Sequence, residues 1–239
     1  MGLFDFFGRK SGARAFEKHA ARAANKRAQG PDRWASLQAL GEMKTPEAVE
    51  ALLQRFTFRV DPSITDQEEK DLAFHAIVGS GEVAIEPVKA FLRESDAIAW
   101  PVKMLQKLVV EAEVVGELVA LLESMDTEYE RDPQKKIDTI MQLEEYQDER
   151  IRPAVEPFLD DVNEATRFHA VGTLLRQEDA SASREALLKA LAEEESVRVR
   201  VVLLDGFIEH DWELGKAVSE VQKKLPTGYV LDGTKVRKK

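Results

Sequence analysis

V-N-E-A-T-R-F-H-A-V-G-T-L-L-R-Q-E-D-A-S-A-S-R-E-A-L-L-K-A-L-A-E-E-E-S-V-R-V-R-V-V-L-L-D-G-F, residues 162–207, contains one pattern twice. Arg167, Ala170, Thr173 and Leu174 fall on Arg200, Leu203, Gly206 and Phe207, an offset of 33 residues. Each set has the 0, +3, +6, +7 spacing of one helix face, and a second amphipathic segment lies between them. A fixed period of this size marks a stack of helical hairpins, because one hairpin cannot bury its apolar face alone.

Carried towards the N-terminus, the register places first-helix positions at Arg33, Lys70, Pro101 and Gln134, ahead of Arg167 and Arg200. The face slots that follow are Ser36/Ala39/Leu40, Ala73/Ala76/Ile77, Met104/Lys107/Leu108 and Ile137/Ile140/Met141. Lys107 is the exception to small or apolar occupancy, and its stem is expected to run along the core with the charge in water. Six second helices fit between, with faces such as Val49/Leu52/Leu53/Phe56 and Ile85/Val88/Phe91/Leu92. Thr45-Pro46 reads as an N-cap with proline in the first turn. Thr65 with Glu68 reads as a capping box. Pro87 and Pro153 suit first turns, and Pro157 should shift or bend its helix. No sustained period-two pattern competes, so the fold expected is all-α, a solenoid of about six helical hairpins. Three parts follow: a basic, Ala-rich arm over 1–30, the array over 31–225, and a cap or tail over 226–239. In the last of these Tyr229, Val230 and Leu231 should cover the terminal repeat, and Lys235, Arg237, Lys238 and Lys239 should be solvated.

The segments A-T-R-F-H-A-V-G-T-L-L and V-R-V-R-V-V-L-L-D-G-F resemble the first helices of HEAT repeats, in particular the short bacterial type related to phycobilisome lyases. The resemblance covers roughly residues 32–225. It implies a right-handed superhelix with first helices on the convex side and second helices on the concave side. It also implies protein binding as the commonest activity.

Composition narrows the chemistry. There are no cysteines, which excludes disulfides, thiolate zinc sites and cysteine nucleophiles. Net charge is −10, yet residues 1–30 hold seven cations against Asp5 and Glu17, so the other 209 residues carry −15. Aliphatic runs are too short to span a bilayer, and a cytoplasmic protein is expected, with peripheral attachment at the inner membrane face through its arm as an alternative. The four histidines are scattered and suit packing better than metal binding. Gly79-Ser80-Gly81 lacks the surroundings of a nucleophile elbow. Phosphate loops and dinucleotide fingerprints are missing. No catalytic residue, metal or cofactor is therefore assigned.

Two connections are longer than an ordinary hairpin array needs, 57–65 and 124–132. The second reads S-M-D-T-E-Y-E-R-D, an aromatic among charges, which suits contact with a partner. The expected function is a non-enzymatic scaffold or adaptor for another protein. Its contact residues would be Asp126, Glu128, Tyr129, Arg131, Phe58 and Arg59 on the loops. On the second-helix face they would be Glu86, Lys89, Arg93, Glu117 and Glu156. Two alternatives stand beside it. One is a HEAT-like enzyme or subunit, of tetrapyrrole-lyase or DNA-glycosylase type; the acidic body speaks against nucleic acid. The other is weak membrane attachment through Phe4, Phe6, Phe7, Arg14, Lys18, Arg22 and Lys26. Arg33, Arg167 and Arg200 are expected to pair with carboxylates of neighbouring repeats.

Overall fold

The computed structural model describes residues 3–239, with side chains from residue 12 onward. The chain divides into two compact units, one running to Val114 and the other Val115–Lys239.

The first unit opens with α1 (Leu3–Ala23). It is followed by α2 (Gly30–Met43) and α3 (Pro46–Leu53), the latter extended by a 3-10 turn, Gln54–Thr57. Next come α4 (Ser63–Val78), α5 (Ile85–Glu94) and α6 (Ala99–Leu108). α7 (Glu111–Glu123) contains the dividing point. The second unit continues with α8 (Gln134–Leu143), then α9 (Ile151–Val155) with its 3-10 turn Glu156–Asp160. α10 (Glu164–Arg176), α11 (Arg184–Glu193), α12 (Val197–Glu209) and α13 (Val218–Lys223) complete the helices. First helices are α2, α4, α6, α8, α10 and α12, so the register read from the sequence finds all six. The fold is all-α, with one antiparallel pair, β1 (Tyr229–Asp232) and β2 (Lys235–Lys238), at the C-terminus.

The face slots form the core. Leu40, Ala73, Ile77, Met104, Ile140, Ala170, Leu174 and Leu203 are wholly buried. Lys107 does not lie along the core; it is exposed, because α6 buries Pro101, Val102, Met104 and Leu105 instead. Met141 is 40% exposed, a second departure from the register. Gly206 lets α12 approach α10 closely, since a Cβ there would lie 2.4 Å from Leu175 Cδ1.

Helix ends follow their residues. Thr45 Oγ1 accepts from Ala48 N with Pro46 at the first turn, as expected. The Thr65 capping box does not form: α4 begins earlier, at Ser63, which places Thr65 inside the helix. Pro157 ends α-helical geometry at Val155, and the chain continues as a 3-10 turn. Asn163 Oδ1 caps α10 through Ala165 N and Thr166 N, and Ser196 Oγ caps α12 through Val199 N.

α1 packs along α2 and α3. Ala23 is wholly buried, and His19 Nδ1 lies 3.2 Å from Ser36 Oγ. At the other end the β-hairpin docks on α12. Tyr229 is 8% exposed and its hydroxyl donates to Asp205 (2.7 Å). Its charged tail is not simply solvated: Lys238 pairs with Asp205 and Lys235 with Asp211.

Candidate functional site: ordered loops and the second-helix face

The polar groups that repeat along the second unit are structural ties. Asp161 and Glu194 stand one period apart, each just before a first helix. Lys136 Nζ donates to Asp161 Oδ2 at 2.9 Å, and both side chains are almost wholly buried. Arg167 grips Glu194 with two bonds, Nε and Nη2, at 2.8 and 2.9 Å. Each acid also accepts a backbone amide two residues on, from Asn163 N and Ser196 N, both at 2.7 Å. Burial works to raise the Glu194 carboxyl, but the bonds from Arg167 and the amides outweigh it and hold it below the usual range. Each cation thus fastens one first helix to the loop that starts the next. Arg200 has no following acid to meet. Its Nη1 donates to Glu194 O (3.1 Å), its Nε has no partner, and burial lowers its affinity for its proton.

Arg33 and Arg167 therefore pair with carboxylates of the next repeat, as expected from the sequence; Arg200 bonds backbone carbonyls instead. Gln134 is exposed, because it is the first residue of α8 whereas Arg167 and Arg200 are each the fourth of their helices. Lys136, two positions on, supplies the buried cation.

In the first unit the ties converge on one carboxylate. Arg33 donates to Glu69 from Nε (2.7 Å) and Nη2 (2.8 Å), and Arg55 Nε donates to the same carboxylate at 2.7 Å. Arg55 also donates to Asp66 Oδ1 (2.7 Å), and Lys70 to Asp66 Oδ2 (2.7 Å). Burial raises the Asp66 carboxyl, yet Lys70, Arg55 and the Val60 amide bring it down to about 2.

On this frame the loop of residues 124–133 is pinned rather than loose: Val162 N donates to Thr127 O at 3.1 Å. Asp126 Oδ1 accepts from Glu128 N, which tightens the turn before Tyr129. Tyr129 is 80% exposed, and Glu128 and Arg131 stand in water beside it. In the first unit Arg59 is exposed, while Phe58 is half-buried beneath the Arg55 guanidinium, 4.7 Å from its ring centre.

The second-helix residues divide. Glu86 and Arg93 are exposed. Lys89 is not available as a contact: it is buried, with Nζ 2.6 Å from Glu113. Glu117 is half-buried. Glu156 is engaged by Arg152 (3.0 Å) and by the Ser183 hydroxyl (2.6 Å), so its carboxylate is spent within the unit. Arg152 with Asp179 and Lys189 with Asp160 cross between hairpins on this face as exposed pairs, worth little energy individually.

On α1, Arg14 and Lys18 are exposed and Arg22 lies 3.6 Å from Asp32. Lys26 falls beyond the helix end. The Phe4, Phe6 and Phe7 side chains lie outside the described residues. Among the described residues no helix is long and apolar enough to cross a membrane, and no group of three metal-ligating side chains forms. His169 and His210 line an open groove of about 800 Å³ with Phe168, Gly172 and Val202. His210 stacks on Trp212 at 4.5 Å. Trp100 packs between Phe56 and Phe74, whereas Trp34 is 37% exposed.

Sequence reading missed Val162 and Val197 as surface residues, although both are large apolar side chains beside an N-cap, outside the face slots. It also missed the C-terminal hairpin, whose signal is the glycine-first pair Gly233-Thr234 between two β-prone runs.

A family model, the PBS lyase HEAT-like repeat, matches residues 32–57, which span α2, α3 and its 3-10 turn. No curated protein matches the chain. The matched hairpin is the first of six, and the likeness carried by residues 165–175 and 197–207 lies at the other end of the same register. Residues 32–57 thus carry a HEAT-like repeat, at the head of an all-α array of hairpins in the same register.

Proposed function

We propose that this protein is a non-enzymatic scaffold or adaptor that binds another protein through its loops and second-helix face. The observation that carries the reading is Tyr129: a large aromatic side chain, 80% exposed, on a loop fixed by backbone bonding. An aromatic on an ordered loop loses little freedom on binding and offers both an apolar ring and a polar tip. The ion pairs of the second unit support it, because Lys136 with Asp161 and Arg167 with Glu194 hold the hairpins together, while Asp126, Glu128 and Arg131 are exposed beside the ring.

Affinity capture from the native cell tests the reading. Wild type is run beside Glu128→Ala/Tyr129→Ala/Arg131→Ala and beside Glu86→Ala/Arg93→Ala. A discrete protein retained by wild type and lost from at least one variant is expected. Identical retention by all three, or no specific retention by wild type, contradicts it.

A further inference from the structure

Three exposed large apolar side chains of the second unit stand at the starts of successive first helices. Tyr129, Val162 and Val197 are 80%, 57% and 63% exposed. Each precedes or begins a first helix, α8, α10 and α12 in turn. Tyr129 and Val162 are one 33-residue period apart. The bond from Val162 N to Thr127 O sets the first loop against the second. The bond from Ser196 Oγ to Glu164 Oε1 (2.9 Å) sets the third against the second. Isolated exposed valines need no explanation, but three apolar side chains on successive, stitched loops form a strip.

The strip is acidic. Asp126, Glu128, Glu130, Asp132, Glu164 and Glu193 are exposed along it and outnumber the exposed Arg131 and Arg198, while the buried Lys136 and half-buried Arg167 are consumed by Asp161 and Glu194. Between the second and third loops lies a cleft of about 260 Å³, floored by Leu159 and Ala190 and rimmed by Asp160, Glu193 and Glu195. Lys189 reaches this rim through exposed pairs with Asp160 and Glu193, and Lys224 through Glu195 and the Glu193 and Glu194 carbonyls; the exposed carboxylate pairs are ones that a competing cation can replace at little cost.

We propose that this edge is the docking strip for an extended segment of the partner protein, rich in Lys and Arg and carrying regularly spaced apolar side chains. This rests on the protein-binding reading above and names its partner class. Packed helices lie roughly 8–10 Å apart, so successive loops repeat at about that distance. A polyproline-II segment rises about 3.1 Å per residue and returns to the same face every third residue, roughly 9 Å on. Its apolar side chains, three residues apart, meet Tyr129, Val162 and Val197, and the basic side chains between them meet the carboxylates. The same charge repels nucleic acid and anionic lipid.

The test is selection of peptides of about 12 residues, long enough to cross three loops, from a random display library against the full-length protein. Selected peptides should be enriched in Lys and Arg with apolar residues three apart. Their affinity, read by fluorescence anisotropy, should fall about tenfold in Tyr129→Ser/Val162→Ser. It should also fall as salt rises through the range where the Debye length drops below about 10 Å. Met141→Ser, an exposed apolar residue off the strip, should leave binding unchanged. Selection of no peptides, selection without basic enrichment, or binding indifferent to the strip variant overturns the proposal. Binding lost instead in Glu86→Ala/Arg93→Ala also overturns the strip while leaving the protein-binding reading intact.

Discussion

Glu69 sits between two guanidinium groups, with side-chain exposures of 1% for Glu69, 4% for Arg33 and 0% for Arg55. Glu69→Gln keeps the shape and removes the charge. Its amide nitrogen must replace either Oε1, where it confronts Arg33 Nη2, or Oε2, where it confronts both Nε groups. A donor then faces a donor, and two buried cations lose their shared anion. Removing one partner from a buried ion pair costs roughly 3–5 kcal/mol, and neither guanidinium can reach water here. With a urea dependence of about 1–3 kcal/mol per molar, the unfolding midpoint of the first unit should fall by about 2 M. Trp34 and Trp100 report on that unit, and Trp212→Phe silences the second. Arg33→Met should cost less, about 2 kcal/mol, because Glu69 keeps Arg55. Added to Glu69→Gln, it removes an unpaired buried charge, so the two changes should couple by at least about 1 kcal/mol. A loss below about 1 kcal/mol for Glu69→Gln, or strict additivity with Arg33→Met, would refute the reasoning.

Asp66 titrates at about 2 in the folded unit against 3.8 ordinarily. Because its folded value is depressed, its contribution is full above about pH 4 and is lost as pH falls towards 2. That loss is about 2 kcal/mol, and Asp66→Asn should abolish it when acid unfolding of the two proteins is compared. Gly206→Ala should destabilise the second unit by about 1–2 kcal/mol, since its Cβ meets Leu175, with the cost relieved in a Leu175→Ala background. Gly172→Ala meets only Glu144 Oε1 at 3.6 Å, so it should be neutral or stabilising by up to about 1 kcal/mol; both are read by urea unfolding. Tyr229→Phe removes the bond to the half-exposed Asp205. It should cost about 1 kcal/mol and speed amide exchange in β1 and β2.

The architecture was legible because a stack repeats its core. Arg167, Ala170 and Leu174 recur as Arg200, Leu203 and Phe207, so burial has a period that a sequence displays. The ties between hairpins were legible in kind but not in partner. Arg33 finds Glu69 36 residues on, Arg167 finds Glu194 27 residues on, and Lys136 finds Asp161 at 25. Those separations depend on connection lengths and on where each helix starts, as the displaced Gln134 shows. Thr65 misled for a related reason: its capping box is sound chemistry, but α4 had already begun. The contact surface was only half visible. Tyr129 stood out by composition, whereas Val162 and Val197 look like core residues until their exposure is known. Lys89 and Glu156 look like surface residues until Glu113 and Arg152 are placed beside them.

The central claim is that the pinned loop carrying Tyr129 meets a protein partner. A photocrosslinking amino acid at position 129, compared in the native cell with one at the exposed position 107 on α6, measures this directly. The account predicts a discrete protein adduct from position 129 that is absent from position 107. Equal or absent crosslinking at both positions would contradict it.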